Sequence, residues 1–133
     1  MGTNEIQRYK EASSIFYSIG MNLLNEHLRK FSTNEYFFRC GLLELVAGKS
    51  NLVDFRSSMQ RMKTSNPMFL FSREYQFLEN LALYIQNGNY DDFADHVYYY
   101  FNAVQNVSEW CLECLQEIQL MLESESIQEK LES

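Results

Sequence analysis

Proline and glycine are scarce in this chain of 133 residues, which holds one Pro and five Gly. So few turn-formers exclude a β-rich fold, which needs breaks at short intervals. Long apolar runs are missing too. The most apolar stretch, Tyr36 to Gly48, is cut by Arg39 and Glu44 and is too short to cross a bilayer. Near the N-terminus, Asn4, Glu5, Gln7, Arg8, Lys10 and Glu11 stand where a signal peptide would carry its apolar core. Cysteine is limited to three, an odd count that argues for reduced thiols. These absences together predict a cytoplasmic chain. The last scarcity is of positive charge: after Arg73 the only basic residue is Lys130.

That scarcity turns into a pattern when the whole chain is read. Residues 1–73 hold ten basic and six acidic residues, net +4, and residues 74–133 hold one and twelve, net −11. Charge of this kind says nothing about fold but bears on partners. It predicts a protein that touches two different things. Apolar residues reach 46%, which excludes disorder, and nine Tyr and ten Phe predict an aromatic core. The length suits one domain with a real core.

Helical periodicity is the dominant signal. Tyr9, Ala12, Phe16, Ile19 and Leu23 form one apolar stripe at helical spacing. Leu52, Phe55, Met59 and Met62 form a second, and Tyr75, Leu78, Ala82 and Ile85 a third. Phe93, Val97, Tyr100 and Val104 form a fourth, and Cys111, Leu115, Ile118 and Leu122 a fifth. Ser32 with Glu35 has the spacing of a capping box opening a helix through Ala47, with Gly48 as its C-cap. Ser50 or Asn51 starts the next helix, and Asn87-Gly88-Asn89 reads as a turn. The spacing predicts six helices, over roughly 5–25, 33–47, 51–64, 71–86, 90–105 and 108–123. Residues 124–133 form an acidic tail able to extend the last helix, so the expected division is one helical domain over 1–123 and that tail. Short connections imply antiparallel neighbours. The fold class is therefore all-α: antiparallel hairpins in a tetratricopeptide-like stack ending in a bundle, without the tetratricopeptide consensus. Apolar residues on several faces (Phe38, Leu42, Leu45; Phe77, Leu81, Tyr84) place the second and fourth helices in the middle.

Few residues suggest chemistry. Cys111 and Cys114 imitate a thioredoxin motif, but that motif needs a strand before it and a helix N-terminus. Two thiols three apart share a helix face by default, so the structural reading is preferred. A zinc site from Cys111, Cys114, His27 and His96 lacks paired ligand spacing. There is no phosphate loop and no arguable triad. Tyr98-Tyr99-Tyr100-Phe101 could stack bases, but it lies in the acidic half, and base-stacking sites need a basic groove. The expectation is two rings in the core and two over neighbouring helices, with no nucleic-acid partner. Pro67-Met68-Phe69-Leu70-Phe71 reads either as a membrane- or partner-touching tip or, the preferred reading, as a segment folded back over its hairpin. The basic set Arg29, Lys30, Arg39, Lys49, Arg56, Arg61, Lys63 and Arg73 reads equally as solvated surface or as one face aimed at an acidic helical partner.

Several strings resemble one family. Phe71-Ser72-Arg73-Glu74-Tyr75-Gln76-Phe77-Leu78, followed by Leu81, is similar to a late-helix signature of the soluble NSF attachment proteins. Tyr9-Lys10-Glu11-Ala12 with Phe16 and Gly20 resembles another helix of that family. Lys30-Phe31-Ser32, with Glu35 through Leu42, resembles a third, and Trp110 with Leu115 and Ile118 the last. The likeness runs in order from Tyr9 to Leu122 and assigns the chain to the C-terminal half of such proteins. It implies a non-enzymatic adaptor, without cofactor or metal, that binds the SNARE bundle and recruits the NSF ATPase. Membrane association would be peripheral, through those partners. Carried over position by position, Lys30, Arg39 and Arg73 are SNARE-facing candidates. Glu129, Leu131 and Glu132 are ATPase-facing candidates. Two departures stand out. Lys130 intrudes beside the tail Leu, and a family acidic pair falls here at Gln86 and Asn87. The alternatives are a helical-repeat scaffold subunit of another cytosolic complex and a redox enzyme using Cys111 and Cys114.

Overall fold

The computed structural model describes residues 3–26, 30–49, 51–103 and 109–132. In order these form α1 (Thr3–Leu24), α2 (Lys30–Gly48), α3 (Val53–Ser65), a 3₁₀ helix (Pro67–Phe71), α4 (Arg73–Asn87), α5 (Tyr90–Ala103) and α6 (Glu109–Glu132). All six predicted helices are present. The fifth stripe is buried along α6, and Phe55, Met59, Met62, Leu78, Ala82, Ile85, Phe93 and Val97 face the core.

α2 is the hub. It touches α1, α3, α4 and α6, while α5 packs on α4 and α6. From Phe37 to Ala47 every residue of α2 except Arg39 is buried. A helix apolar on all sides can satisfy itself only by being covered on all sides. The one buried acid of that stretch, Glu44, is paid for locally. Ser13 Oγ donates to one carboxylate oxygen at 2.7 Å and Lys10 Nζ to the other at 2.5 Å. Lys10 also reaches Asp54 at 2.7 Å, so one cation ties α1, α2 and α3 together.

Aromatic rings fill the middle as composition predicted. Phe37 stacks on Tyr17 and meets the edge of Phe69, which in turn meets Tyr75. On the other side of α2, Phe38 meets Phe77 and Tyr100, and those two stack with centroids 3.8 Å apart.

The helix ends depart from the sequence reading in four places. α2 begins at Lys30, so Ser32 is already helical and cannot be the N-cap, which needs a non-helical backbone. Its first turn is anchored instead by tertiary contact: buried Thr33 donates its hydroxyl to the carbonyl of Gly20. At the other end Gly48 stays in the helix and Lys49 takes the left-handed conformation, φ 53°. The chain reverses one residue later than glycine placement suggested, held by Asn51 N–H on the Gly48 carbonyl. α3 starts at Val53, whose N–H is taken by the Asn51 side chain. α4 starts at Arg73, because Pro67 opens a separate 3₁₀ helix and Ser72 then accepts the Tyr75 N–H as N-cap. The Asn87–Asn89 turn is as expected: Gly88 is left-handed, φ 64°, and Asn89 caps α5 through the Asp92 N–H. The residues read as a tail continue α6 as helix to Glu132.

Candidate partner-binding ends of the bundle

Helix directions place the candidate residues. α3 reverses the path of α2 and α4 reverses it again, so α2 and α4 start at the same end. Asn34 of α2 lines a cleft with Ser72, Arg73 and Glu74 of α4, and Asn34 also takes a hydrogen bond from Asn66 at 3.0 Å. α6 runs alongside α2 in the same direction. Its residues Glu117 to Ser124 line a groove with Val46 and Lys49 at the far end of α2. The remaining turns of α6 pass beyond that point. With a rise of 1.5 Å per residue, the starts of α2 and α4 lie about 40 Å from the last turn of α6.

Lys30 and Arg73 therefore stand at one end, each as the first residue of its helix. Arg73 is exposed. Arg39 is elsewhere, about 13 Å further along α2. Its guanidinium is 2.8 Å from Glu35 and lies over the rings of Phe16 and Tyr36, leaving its side chain 25% exposed. Two of the three basic candidates thus begin helices at the same end, and the third lies further along α2. Arg61 is likewise occupied, over the ring of Tyr17 at 4.1 Å.

Glu129, Leu131 and Glu132 occupy the last turn of α6, and Leu131 is 77% exposed. The same end carries a feature that the sequence reading missed. The α4–α5 turn and α6 enclose a cleft lined by Asn87, Gly88, Tyr90, Asp91, Glu123 and Ile127. Asp91 and Glu123 thus converge on the turn where Gln86 and Asn87 replace the expected acids. Gln86 itself bonds to Arg56 at 2.9 Å. Thirty-two residues separate Asp91 from Glu123, so only the α5–α6 packing makes them neighbours.

The chemistry-bearing residues are accounted for by packing. Cys40, Cys111 and Cys114 are buried and unpaired. Burial pushes the Cys111 thiol up to about 11. The Cys114 thiol goes to about 12, chiefly by burial, with Cys111, Glu113 and Glu117 adding negative charge nearby. Such thiols are poor nucleophiles. His96 stacks on Phe77 and meets the edge of Tyr84, and burial holds its pKa below the usual histidine range. His27 of the weighed zinc set lies outside the described residues, among which no three His, Cys, Asp or Glu side chains gather to hold a metal. Tyr100 is half-buried against the core, but Tyr98 and Tyr99 are exposed rather than laid over neighbouring helices. Phe101 lies outside the described side chains, and no described helix is long and apolar enough to cross a membrane.

The sequence model of the family described as "Soluble NSF attachment protein, SNAP" matches residues 3–123. The chain belongs to this family. It is 26% identical over 106 residues to the alpha-soluble NSF attachment protein of Dictyostelium discoideum, covering 80% of this chain and 35% of that one. It is 27% identical over 123 residues to the alpha-soluble NSF attachment protein of Saccharomyces cerevisiae, covering 92% and 39%. For the beta-soluble NSF attachment protein of Bos taurus the values are 24% over 106 residues, covering 80% and 34%. The match spans about a third of these curated relatives' length. No solved structure matches the chain significantly. Family membership accounts for the helical hairpins without a tetratricopeptide consensus.

Proposed function

We propose that this chain is a non-enzymatic adaptor of SNARE disassembly, bridging a SNARE bundle and an NSF-type ATPase. The carrying observation is the family match over nearly the whole chain. In this reading the end at Lys30 and Arg73 meets the acidic surface of the SNARE bundle, with Arg39 as a more distant contact. The end at Glu129, Leu131 and Glu132 meets the ATPase, with Asp91 and Glu123 standing in for the acids missing at Gln86 and Asn87. Rim charges of this kind act mainly on encounter and orientation. They are screened over about 8–10 Å near physiological ionic strength, so association slows as salt rises.

The test is capture of an assembled SNARE complex by the purified chain at low salt. Reversing Lys30 and Arg73 together to Glu lowers the on-rate about tenfold, the lower range for electrostatic steering. Unchanged capture would sink the basic-end assignment. Leu131→Ala separately lowers stimulation of NSF ATPase activity while helix content is unchanged, because the side chain is exposed and supports no core. Equal stimulation by both forms counts against a functional role for the last turn.

A further inference from the structure

The 3₁₀ helix between α3 and α4 is built in an unusual way. Phe69 is fully buried between Phe37 and Tyr75, and Leu70 is half-buried. On the other side Met68 is 44% exposed and Phe71 82%. In a 3₁₀ helix residues three apart eclipse each other, so Met68 and Phe71 share one outward face. The turn presenting them is pinned: Ser72 Oγ donates to the Phe69 carbonyl at 2.6 Å, and Gln76 donates to the Leu70 carbonyl at 3.2 Å. Beside the pair is a cleft of about 420 Å³ lined by Asn34, Ser72, exposed Arg73 and Glu74, its one acid. Lys63 lies in the last turn of α3, just before the 3₁₀ helix.

We propose that this tip inserts directly into an anionic lipid surface, with Phe71 and Met68 entering the interface and Arg73 and Lys63 facing the headgroups. The proposal does not rest on SNARE or ATPase binding, although Arg73 belongs to both readings. Two observations favour lipid over protein. The exposed apolar area is small. An aromatic side chain contributes roughly 150–250 Å² when fully covered, whereas a stable protein interface buries about 800 Å² per partner. Insertion into a bilayer interface needs only a few apolar groups with cations beside them. The charge is also suitable, since anionic headgroups attract basic residues held near the surface. A rigid, hydrogen-bonded turn keeps the pair presented without ordering a loop on contact.

The experiment is co-sedimentation of the purified chain, with no other protein present, with vesicles of phosphatidylcholine containing about 30% phosphatidylserine. The wild type sediments with these vesicles and far less with phosphatidylcholine alone. Phe71→Ser lowers the bound fraction at least about fivefold, since it removes the larger inserted group, while Phe71→Trp keeps binding. Arg73→Gln lowers binding only to the anionic vesicles. Because Phe71 is exposed, its variants retain the wild-type melting temperature. The proposal is overturned if the wild type does not sediment, if Phe71→Ser binds as well as wild type, or if phosphatidylserine makes no difference. Loss of SNARE capture by Phe71→Ser with vesicle binding intact would also overturn it, assigning the tip to a protein.

Discussion

Gly20→Ala tests how tightly the first hairpin is packed. A Cβ at Gly20 would lie 2.7 Å from both Cδ1 and Cε1 of Phe37. Carbon atoms in contact prefer about 3.5–4.0 Å, so the overlap approaches 1 Å. The ring has nowhere to turn. Phe37 is fully buried, stacked on Tyr17 at 5.8 Å and edge-on to Phe69 at 5.6 Å. Relief requires α1 and α2 to separate, which stretches the Thr33 hydroxyl bond to the Gly20 carbonyl, already 3.2 Å long. Overpacking of this kind costs about 1–3 kcal/mol. Replacing Gly by Ala inside a helix returns about 1 kcal/mol. Since the ring cannot turn, the upper half of the overpacking range applies, about 2–3 kcal/mol, and the net expectation is a loss of about 1–2 kcal/mol, read as a melting temperature about 3–8 °C lower by circular dichroism. Phe37→Leu removes the opposing ring edge. In that background Gly20→Ala is nearly neutral, a coupling of about 1 kcal/mol in a double-mutant cycle. A Gly20→Ala protein melting at or above the wild-type temperature would refute the reasoning, showing that the helices spread without penalty.

Two further outcomes follow from burial. Cys40, Cys111 and Cys114, with thiols near 11, 11 and 12, stay unlabelled by a thiol reagent at neutral pH and all label in denaturant. Labelling of Cys111 or Cys114 in the native protein would revive a redox role. His96 has its pKa lowered by burial, so the unfolded chain binds its proton more readily than the folded one. Its contribution is fully present above about 6.5 and is lost as pH falls from there through the depressed folded value. The melting temperature of the wild type therefore drops between about pH 7.5 and 5.5 more than that of His96→Gln. Identical slopes for the two proteins would contradict this.

Helix identity and the buried side of each helix were legible in the sequence because a 3.6-residue period records which side faces the core. The stripes of α3, α4 and α6 are buried as read. Helix ends were less legible. Ser32 and Gly48 have the right chemistry for caps, yet α2 begins before Ser32, anchored by Thr33 on the Gly20 carbonyl, and ends in a local turn at Lys49. The preferred reading of Pro67–Phe71 as folded back was half complete. Phe69 folds in, and Phe71 does not.

By itself, then, the sequence determined six helices, the family likeness and the separation of charge between the two parts of the chain. Those are local or compositional properties, written residue by residue. Only the tertiary structure decided that Lys30 and Arg73 share an end while Arg39 lies over the ring of Phe16 in α1. Only it brought Asp91 to Glu123, and only it left Phe71 outside a core that takes in Phe69. Each of these depends on which helix lies beside which, and that is set by packing between residues far apart in the chain, where no short-range pattern reaches.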